Sequence, residues 1–550
     1  MSHSVKTNID KCVCCNNCVR HCPVYANKVF LDSKNHTKID ILEGKCIECG
    51  ECVRVCTHNS RHFIDDTIRF LSDISKYDMA IITAPAVLYN FSNHKNLLGW
   101  LKSIGVNLVF DISFGADITT WAYLKLYERN SNISVISQPC PAIVNYIEIY
   151  EPELISSLAP VHSPTLCAAI YLKKYLKYDG RIAMLSPCIA KKSEFETNNT
   201  NGYVSYNVTI AKLKEYIEKN KINLSNYPEV EFDNIESNLG FTFSRPGGLK
   251  ENVDFYTNSA LWIKQTEGVQ HVYDYLSKYN KRKKSHKFIP QLVDALNCAN
   301  GCNCGTAVGH NYSLDDIDYN TNKLKRNFLI QQEQLQCENP DYKNPLFEKF
   351  ENELTPSDFM RQYTNRYQVN KIKISEEERA KKIEEYYKIL KKETEEQKHH
   401  NCDSCGFQTC EHFLNSVIEG RTLLNTCFYY SYSILRQQFS EIKDSLNEHL
   451  AKTDIKLESI GENQLILNDI ARNINLISIN ASIEASSAGA YGKGFTVVAS
   501  EIKKLADKSK IVMNATSKTN NEIKEEMNSL KIDLNKVIDK SDKFINDSKK

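Results

Sequence analysis

Two stretches of the chain each carry four cysteines at one tight spacing: Cys12, Cys15, Cys18 and Cys22, followed by Pro23, and Cys46, Cys49, Cys52 and Cys56. Both read C-x2-C-x2-C-x3-C, a run that supplies thiolates to 4Fe-4S cubanes. The alternatives are a pair of zinc ribbons or a disulfide knot, but zinc sites separate two C-x2-C pairs rather than running four thiols together. Two further sets are looser. Cys140, Cys188, Cys298 and Cys302 lie far apart in three short segments, SQPCPAI, SPCIAKKSE and NCANGC, and four thiols can complete a third cubane. Cys402, Cys405, Cys410 and Cys427 are spaced x2, x4 and x16, and an amphipathic helix between the last two could fold the distant thiol back. Four thiolates suit zinc as well as iron at this last set, and its cluster-rich neighbourhood favours iron. Cys14, Cys167, Cys304 and Cys337 fall outside the four sets and read as buried or idle thiols.

The first two runs resemble the bacterial two-cluster ferredoxin pattern, in which three cysteines of each run bind one cubane and the fourth crosses to the other. The resemblance implies an α+β ferredoxin-like domain over 1–70, with Cys12, Cys15, Cys18 and Cys56 on one cubane and Cys46, Cys49, Cys52 and Cys22 on the other.

From 77 to 368 short apolar runs alternate with amphipathic stretches, the texture of an α/β domain. MAIITAPAV (79–87), NLVFDISF (107–114), ISVISQPC (133–140) and RIAMLSPC (181–188) are expected strands, each emptying into a loop where open α/β sheets place their sites. The three cysteine segments here resemble the signatures of the FeFe-hydrogenase catalytic domain, TSCCPxW, MPCxxKxxE and ExMACxGGCxxGGG. The resemblance implies that Cys140, Cys188, Cys298 and Cys302 hold a cubane, with Cys302 also bridging to a diiron subcluster that carries carbon monoxide and cyanide ligands. It matches Lys191 and Glu194 to the lysine and glutamate of the second signature, where the lysine hydrogen-bonds a cyanide of the diiron unit, and matches Ala84 with Pro85, Phe114 to Asp117, Ser163 with Pro164, and Gly247 with Gly248 to further family segments.

The departures bear on chemistry. Pro139 stands where the family has the cysteine that hands on protons, and proline carries none. Ala122 and Lys125 stand where glutamates continue the proton path, Ile143, Leu296 and Asn297 replace a tryptophan, a methionine and an alanine, and Cys304 and Thr306 interrupt a glycine run. Loss of a positioned acid typically costs 10²–10⁴-fold. Efficient turnover is therefore not expected.

Residues 371–400 are dense in Glu and Lys with i,i+4 opposites, which reads as a solvated helical linker with His399 and His400 exposed at its end. Residues 401–430 resemble a small single-cubane module of electron-transfer and corrinoid proteins, with Gly406 and Gly420 at its glycine positions. Beyond 431 a 3.5-residue apolar period appears: Ile460, Leu467, Ile470, Ile474, Ile477 and Ala481 on one arm, and Val498, Ile502, Leu505, Val512, Ile523, Leu530, Val537 and Phe544 on the other. Gly489, Gly492 and Gly494 between them permit a reversal, so an antiparallel helical hairpin of two long arms is expected. Its tip, IARNINLISINASIEASSAGAYGKGFTVVASEIKKLA (470–506), is similar to the signalling tip of methyl-accepting chemotaxis proteins. That resemblance implies homodimerisation into a four-helix bundle and contact with a chemotaxis-type histidine kinase and its coupling protein through Glu484, Phe495, Val497 and Val498. Ser487 and Ala490 depart from the tip consensus.

Lys and Arg number 69 against 68 Asp and Glu, so no nucleic-acid partner is expected. No apolar run approaches membrane length and no signal-peptide core begins the chain, which predicts a cytoplasmic protein without membrane insertion. Together these readings predict a multidomain chain of ferredoxin-like, hydrogenase-like, small helical 4Fe-4S and coiled-coil parts. The expected function is an iron-sulfur transducer sensing hydrogen or redox state, with four 4Fe-4S clusters and a ferredoxin-type redox partner. Two rivals remain open: a slow or tethered hydrogenase, and a cubane-only electron-transfer or scaffold protein.

Overall fold

The computed structural model describes residues 4–547 apart from 310–312, 340–341 and 369–373, with the backbone alone for 541–547. The start of the expected linker (371–373) and the Phe544 side chain thus lie outside the described residues. The chain divides into two bodies, 1–430 and 431–550.

In the first body, β1 (Val5–Thr7), β2 (Asn27–Leu31), β3 (Thr37–Ile41) and β4 (Arg61–Phe63) form two antiparallel ribbons, β1 with β4 and β2 with β3. They are followed by β5 (Met79–Thr83), β6 (Val106–Asp111), β7 (Val135–Ile136), β8 (Arg181–Ser186), β9 (Tyr206–Thr209), β10 (Ile263–Glu267) and β11 (Leu292–Leu296). These build two parallel sheets, ordered β6-β5-β8-β9 and β10-β11-β7. Every residue of β5 and of β11 is buried, as expected for parallel strands covered on both faces.

The expected strands are shorter in the structure. The run 107–114 stops at Asp111, whose Oδ1 accepts from the Ser113 amide at 2.9 Å and so caps helix α1 (Ile112–Arg129); Phe114 is therefore helical. The run 133–140 retains only Val135–Ile136, because Pro139 cannot donate to a ladder and Pro141 starts helix α2 (Pro141–Tyr150). A third helix, α3 (Lys191–Phe195), follows β8.

The linker is a larger correction. Helix α4 (Glu376–Ile389) is not simply solvated: its Tyr387 and, just beyond its end, Leu390 and Lys392 are buried, Tyr387 and Leu390 in a core shared with Phe407, Phe413 and Leu414. Ile383, Tyr387 and Leu390, four and three residues apart among many charges, form a stripe that a charge count does not weigh. Helix α5 (Cys410–Ile418) fills the interval between the last two cysteines. The same core includes Val19, Val29 and Ile39, so this module rests on the ferredoxin-like part of the chain. The Val29 amide donates to Arg421 O at 2.8 Å, Arg20 Nε pairs with Asp403 Oδ2 at 3.1 Å, and Tyr25 stacks on Phe407 with centroids 5.7 Å apart.

The second body continues α6 (Phe428–Ser487) and returns as α7 (Lys493–Asp547), joined by a 3-10 turn at Gly489–Gly492. The arms meet on columns other than the expected ones. Leu450, Leu457, Ala471, Ser478 and Ala485 on α6, and Ala499, Ala506, Asn520 and Met527 on α7, are buried at steps of seven or fourteen residues. Asn520 Nδ2 donates to Leu457 O at 3.2 Å, and Lys531 pairs with Asp454. The larger apolar column stays exposed: Leu467, Ile470, Ile477, Val498, Leu505 and Val512 all face solvent. Toward the tip, the small residues Ala471, Ser478, Ala485, Ala499 and Ala506 let the two arms approach, and farther from it Leu450, Leu457 and Met527 form a small core between them. Among the described residues no helix is long and apolar enough to cross a membrane.

Candidate metal centres

The carboxyl ends of four strands, two from each parallel sheet, open into one apolar cavity. Ala84 and Pro85 follow β5, Pro187 and Cys188 follow β8, Pro139 and Cys140 follow β7, and Asn297, Cys298 and Cys302 follow β11; all line it. Thiols from segments about 50 and 110 residues apart are gathered because parallel strands all discharge at one edge of their sheet. Gly301 sets the last turn: at φ 74° and ψ −177° it occupies backbone space that only glycine fills readily, and it brings Cys302 round beside Cys298. Burial pushes the Cys188 and Cys302 thiols up to about 12, the neighbouring thiols push the same way, and Lys191 opposes both. Such a set ionises together only with a cationic partner in its midst, which is the chemistry of a multi-iron site.

Lys191 reaches the cavity wall from α3. Its Nζ donates to Glu194 Oε2 at 2.6 Å, to Ser163 Oγ at 3.3 Å and to Pro139 O at 3.4 Å. The second Glu194 oxygen is taken by Arg361 Nη1 at 2.8 Å, and all three charged side chains are buried. Glu194 is therefore shared by two cations, leaving an excess of one positive charge beside the four thiols. An anionic cluster offsets such a charge, which would otherwise be costly to bury. No carboxylate, histidine or tyrosine lines this cavity among the described residues. Ala122 is buried, and Lys125 is engaged with Glu128 and Glu351. Arg361 gave no sequence signal, since nothing near it repeats or matches a motif.

The ferredoxin-like cysteines separate into two neighbourhoods. Cys12, Cys15, Cys18 and Cys56 line one cavity together with Arg61. Cys46, Cys49 and Cys52 act on one another and on Cys22: burial, then each other's charge, holds the Cys46 and Cys49 thiols well above their ordinary value. Arg61 stands between the neighbourhoods. It is buried, donates to Asn27 Oδ1 at 2.6 Å and Thr7 Oγ1 at 2.7 Å, lies 3.7 Å from Cys18 Sγ, and feels the charge of Cys52. Tyr273, also buried, feels the charges of Cys49, Cys140 and Cys298 and so lies close both to the second neighbourhood and to the strand-end cavity.

The fourth set, Cys402, Cys405, Cys410 and Cys427, lines a small cavity with Lys392, Phe413 and Phe428. Gly406 turns this loop at φ 83°, and a Cβ there would meet the Arg20 amide at 2.9 Å; the module can approach the ferredoxin-like part only with glycine at this point. Asn16 Nδ2 donates to Ser404 O at 3.3 Å across the same junction. His399 and His400 are exposed, His400 lying over Tyr429 at 5.9 Å. Among the described residues no three His, Cys, Asp or Glu side chains are drawn close enough to hold a single metal ion. Outside the four sets, Cys167 is buried, accepts from Thr119 Oγ1 at 3.3 Å and donates to His162 O at 3.4 Å. At the hairpin tip Glu484, Phe495, Val497 and Val498 are exposed around the turn, with Phe495 74% and Tyr491 98% accessible.

Three segments of the chain match known families. Residues 4–57 match the 4Fe-4S dicluster domain, 77–306 the iron only hydrogenase large subunit, C-terminal domain, and 435–549 the methyl-accepting chemotaxis protein signalling domain. Iron hydrogenase 1 of Clostridium pasteurianum is 24% identical over 401 residues, 60% of this chain and 70% of that protein. Protein PilJ of Pseudomonas aeruginosa is 37% identical over 73 residues, 12% of this chain and 11% of that protein. The methyl-accepting chemotaxis protein TlpA of Bacillus subtilis is 49% identical over 53 residues, 10% and 8%. The chain thus spans only about a tenth of the length of the chemotaxis relatives it matches. A solved FeFe-hydrogenase chain of Chlamydomonas reinhardtii aligns with 56% of this chain and 100% of its own, at 16% identity and a TM-score of 0.41.

Proposed function

For a chain that joins a dicluster 4Fe-4S domain, an iron-only hydrogenase large-subunit domain and a chemotaxis signalling domain, we propose a cytoplasmic transducer that reads hydrogen or redox state. It passes that state to a chemotaxis-type histidine kinase through the coupling protein. The observation that carries this reading is a junction: Cys427, the last thiol of the fourth set, directly precedes α6, the helix that becomes the signalling hairpin.

On this reading the four cysteine sets hold four 4Fe-4S clusters, and Cys302 with Lys191 holds a diiron unit beside the third. When bound, the cubanes supply one-electron storage and transfer, and the diiron unit supplies hydrogen binding. The protein's own residues do the rest. Lys191 and Arg361 keep a fixed positive excess at the strand-end cavity, and Ser163 and Pro139 O hold the Lys191 ammonium in place. Pro139, Pro85, Pro164 and Met184 wall the cavity without offering a proton, which suits a site that registers a ligand more than one that turns it over. Tyr273 lies near thiols of the second and third sets and Arg61 near thiols of the first two, and the 403–406 loop meets the Asn16–Arg20 turn.

Output follows from the exposed bulky column. Leu467, Ile470 and Val498 are costly to leave in water, and a second copy of the hairpin covers them in the four-helix bundle typical of such signalling domains. The test uses the full chain, reconstituted anaerobically and mixed with coupling protein and kinase. Kinase phosphorylation should differ between hydrogen-reduced and oxidised protein, and Val497→Asp should abolish the difference. Identical phosphorylation in both states, with no binding to either component, overturns signalling in favour of a tethered enzyme.

A further inference from the structure

We propose that Lys392 is a positioning residue that couples the charge of the fourth cysteine set to the root of the signalling helix. The inference rests on the reading that Cys402, Cys405, Cys410 and Cys427 hold a cubane.

Lys392 follows α4, with its amide bonded to Tyr387 O at 2.9 Å, and its side chain is among the most deeply buried in the protein, at 1% exposure. Its Nζ lies 3.0 Å from Cys410 Sγ and 4.9 Å from the centroid of the Tyr429 ring. No carboxylate lies within ion-pairing distance of Lys392 among the described residues. A buried ammonium with no carboxylate is held by what remains, the sulfur of a cluster thiolate and the negative face of an aromatic ring. Those two partners belong to different elements: Cys410 opens α5, and Tyr429 sits in the first turn of α6. The one cation is therefore shared between the metal centre and the helix that runs on to Ser487.

Sharing makes the contact sensitive to redox state. With both sites loaded, one electron would enter the fourth from the site that Cys12, Cys15, Cys18 and Cys56 would hold, which would lose it, with no bond formed or broken and no proton moved. The added negative charge strengthens the pull on Nζ toward Cys410 and weakens its hold on the Tyr429 ring. The same attraction favours the reduced form, so the lysine raises the reduction potential of the site.

The test uses full-length protein reconstituted with iron and sulfide, with dithionite as reductant. Lys392→Met keeps length and apolar packing while removing the charge. It should retain the iron of all four cubanes and disfavour reduction of the fourth by at least tenfold, a shift of about 59 mV for a one-electron couple. Tyr429→Leu should leave that potential near its original value. In the unaltered protein, hydrogen exchange at the start of α6 should change on reduction, and both variants should lose that change. Full iron with an unmoved potential in Lys392→Met overturns the proposal. Should Lys392→Met fail to assemble the site, Tyr429→Leu decides: redox-dependent exchange that persists without the ring also overturns it. Iron content unchanged by Cys405→Ser overturns the cluster reading, and the inference with it.

Discussion

Gly301→Ala tests whether the strand-end cavity is a metal centre whose geometry depends on the backbone. Gly301 has φ 74° and ψ −177°, a combination essentially confined to glycine, and holding another residue there costs about 1–3 kcal/mol. Space is lacking as well: a Cβ would lie 2.6 Å from Ser244 O, 2.8 Å from Arg245 Cα and 2.8 Å from Pro246 Cδ. The first two are backbone atoms and cannot swing aside as a flexible side chain can, so overpacking adds about 1–3 kcal/mol. The sum, about 2–6 kcal/mol, is comparable to the stability of a whole domain. The local relief is to move the 298–304 loop, which carries two of the four thiols. The expected outcome is protein that reconstitutes with about four fewer irons, one cubane, while the ferredoxin-like and fourth sites stay filled. Gly202→Ala provides the control, since Gly202 shares a positive φ of 62° but has open space around its Cβ position. Iron analysis and EPR of the reduced protein read the result. Full iron content in Gly301→Ala, with a thermal midpoint like that of the control, would refute the argument that this turn positions Cys302.

Glu194→Gln should destabilise the protein by about 3–5 kcal/mol in denaturant titrations, because it leaves Lys191 and Arg361 buried without their shared carboxylate; an unchanged midpoint counts against the charge balance derived above. His162 is buried, and burial with the nearby Arg361 charge lowers its pKa to about 4, so the unfolded chain takes up a proton before the folded one does. The penalty is absent above about pH 6.5, grows as pH falls, and is complete below about pH 4, reaching about 3 kcal/mol. His162→Gln should accordingly flatten the loss of stability across that window, and identical pH profiles would dismiss the effect. Pro139→Cys should raise hydrogen evolution by about 10²-fold if the diiron unit is bound, by placing a thiol at a position where proline carries no proton; infrared bands from carbon monoxide and cyanide establish whether the unit is present. Leu467→Asp combined with Ile474→Asp should convert a dimer into a monomer in sedimentation velocity without loss of helix, because both side chains are exposed on the single hairpin; a persistent dimer would move the interface elsewhere.

Much of this was legible in the sequence for a definite reason. Cysteines close together along the chain, such as Cys12, Cys15 and Cys18, are written as spacing, because neighbouring residues can reach one site whatever the remainder of the fold does. The hairpin was legible too, because a heptad is a local signal and a glycine-rich reversal marks its turn. The tertiary structure decided what depends on residues distant in sequence. Parallel strands converge at one sheet edge, and that convergence brings Pro85, Cys140, Cys188 and Cys298 into a single cavity. Arg361, which takes half of Glu194, stands 167 positions away from it, and Arg61 reaches Cys18 across 43. Lys392 is the sharpest case. In sequence it is one lysine in a charged run, and a charge run reads as solvated; only the fold, by packing Tyr387 and Leu390 against Phe413, carries it into the interior beside Cys410. The hairpin divides the same way: the period shows that a face is apolar, but small residues at Ala471, Ala485, Ala499 and Ala506 allow the arms their close approach, and that choice of column leaves the bulky one outward.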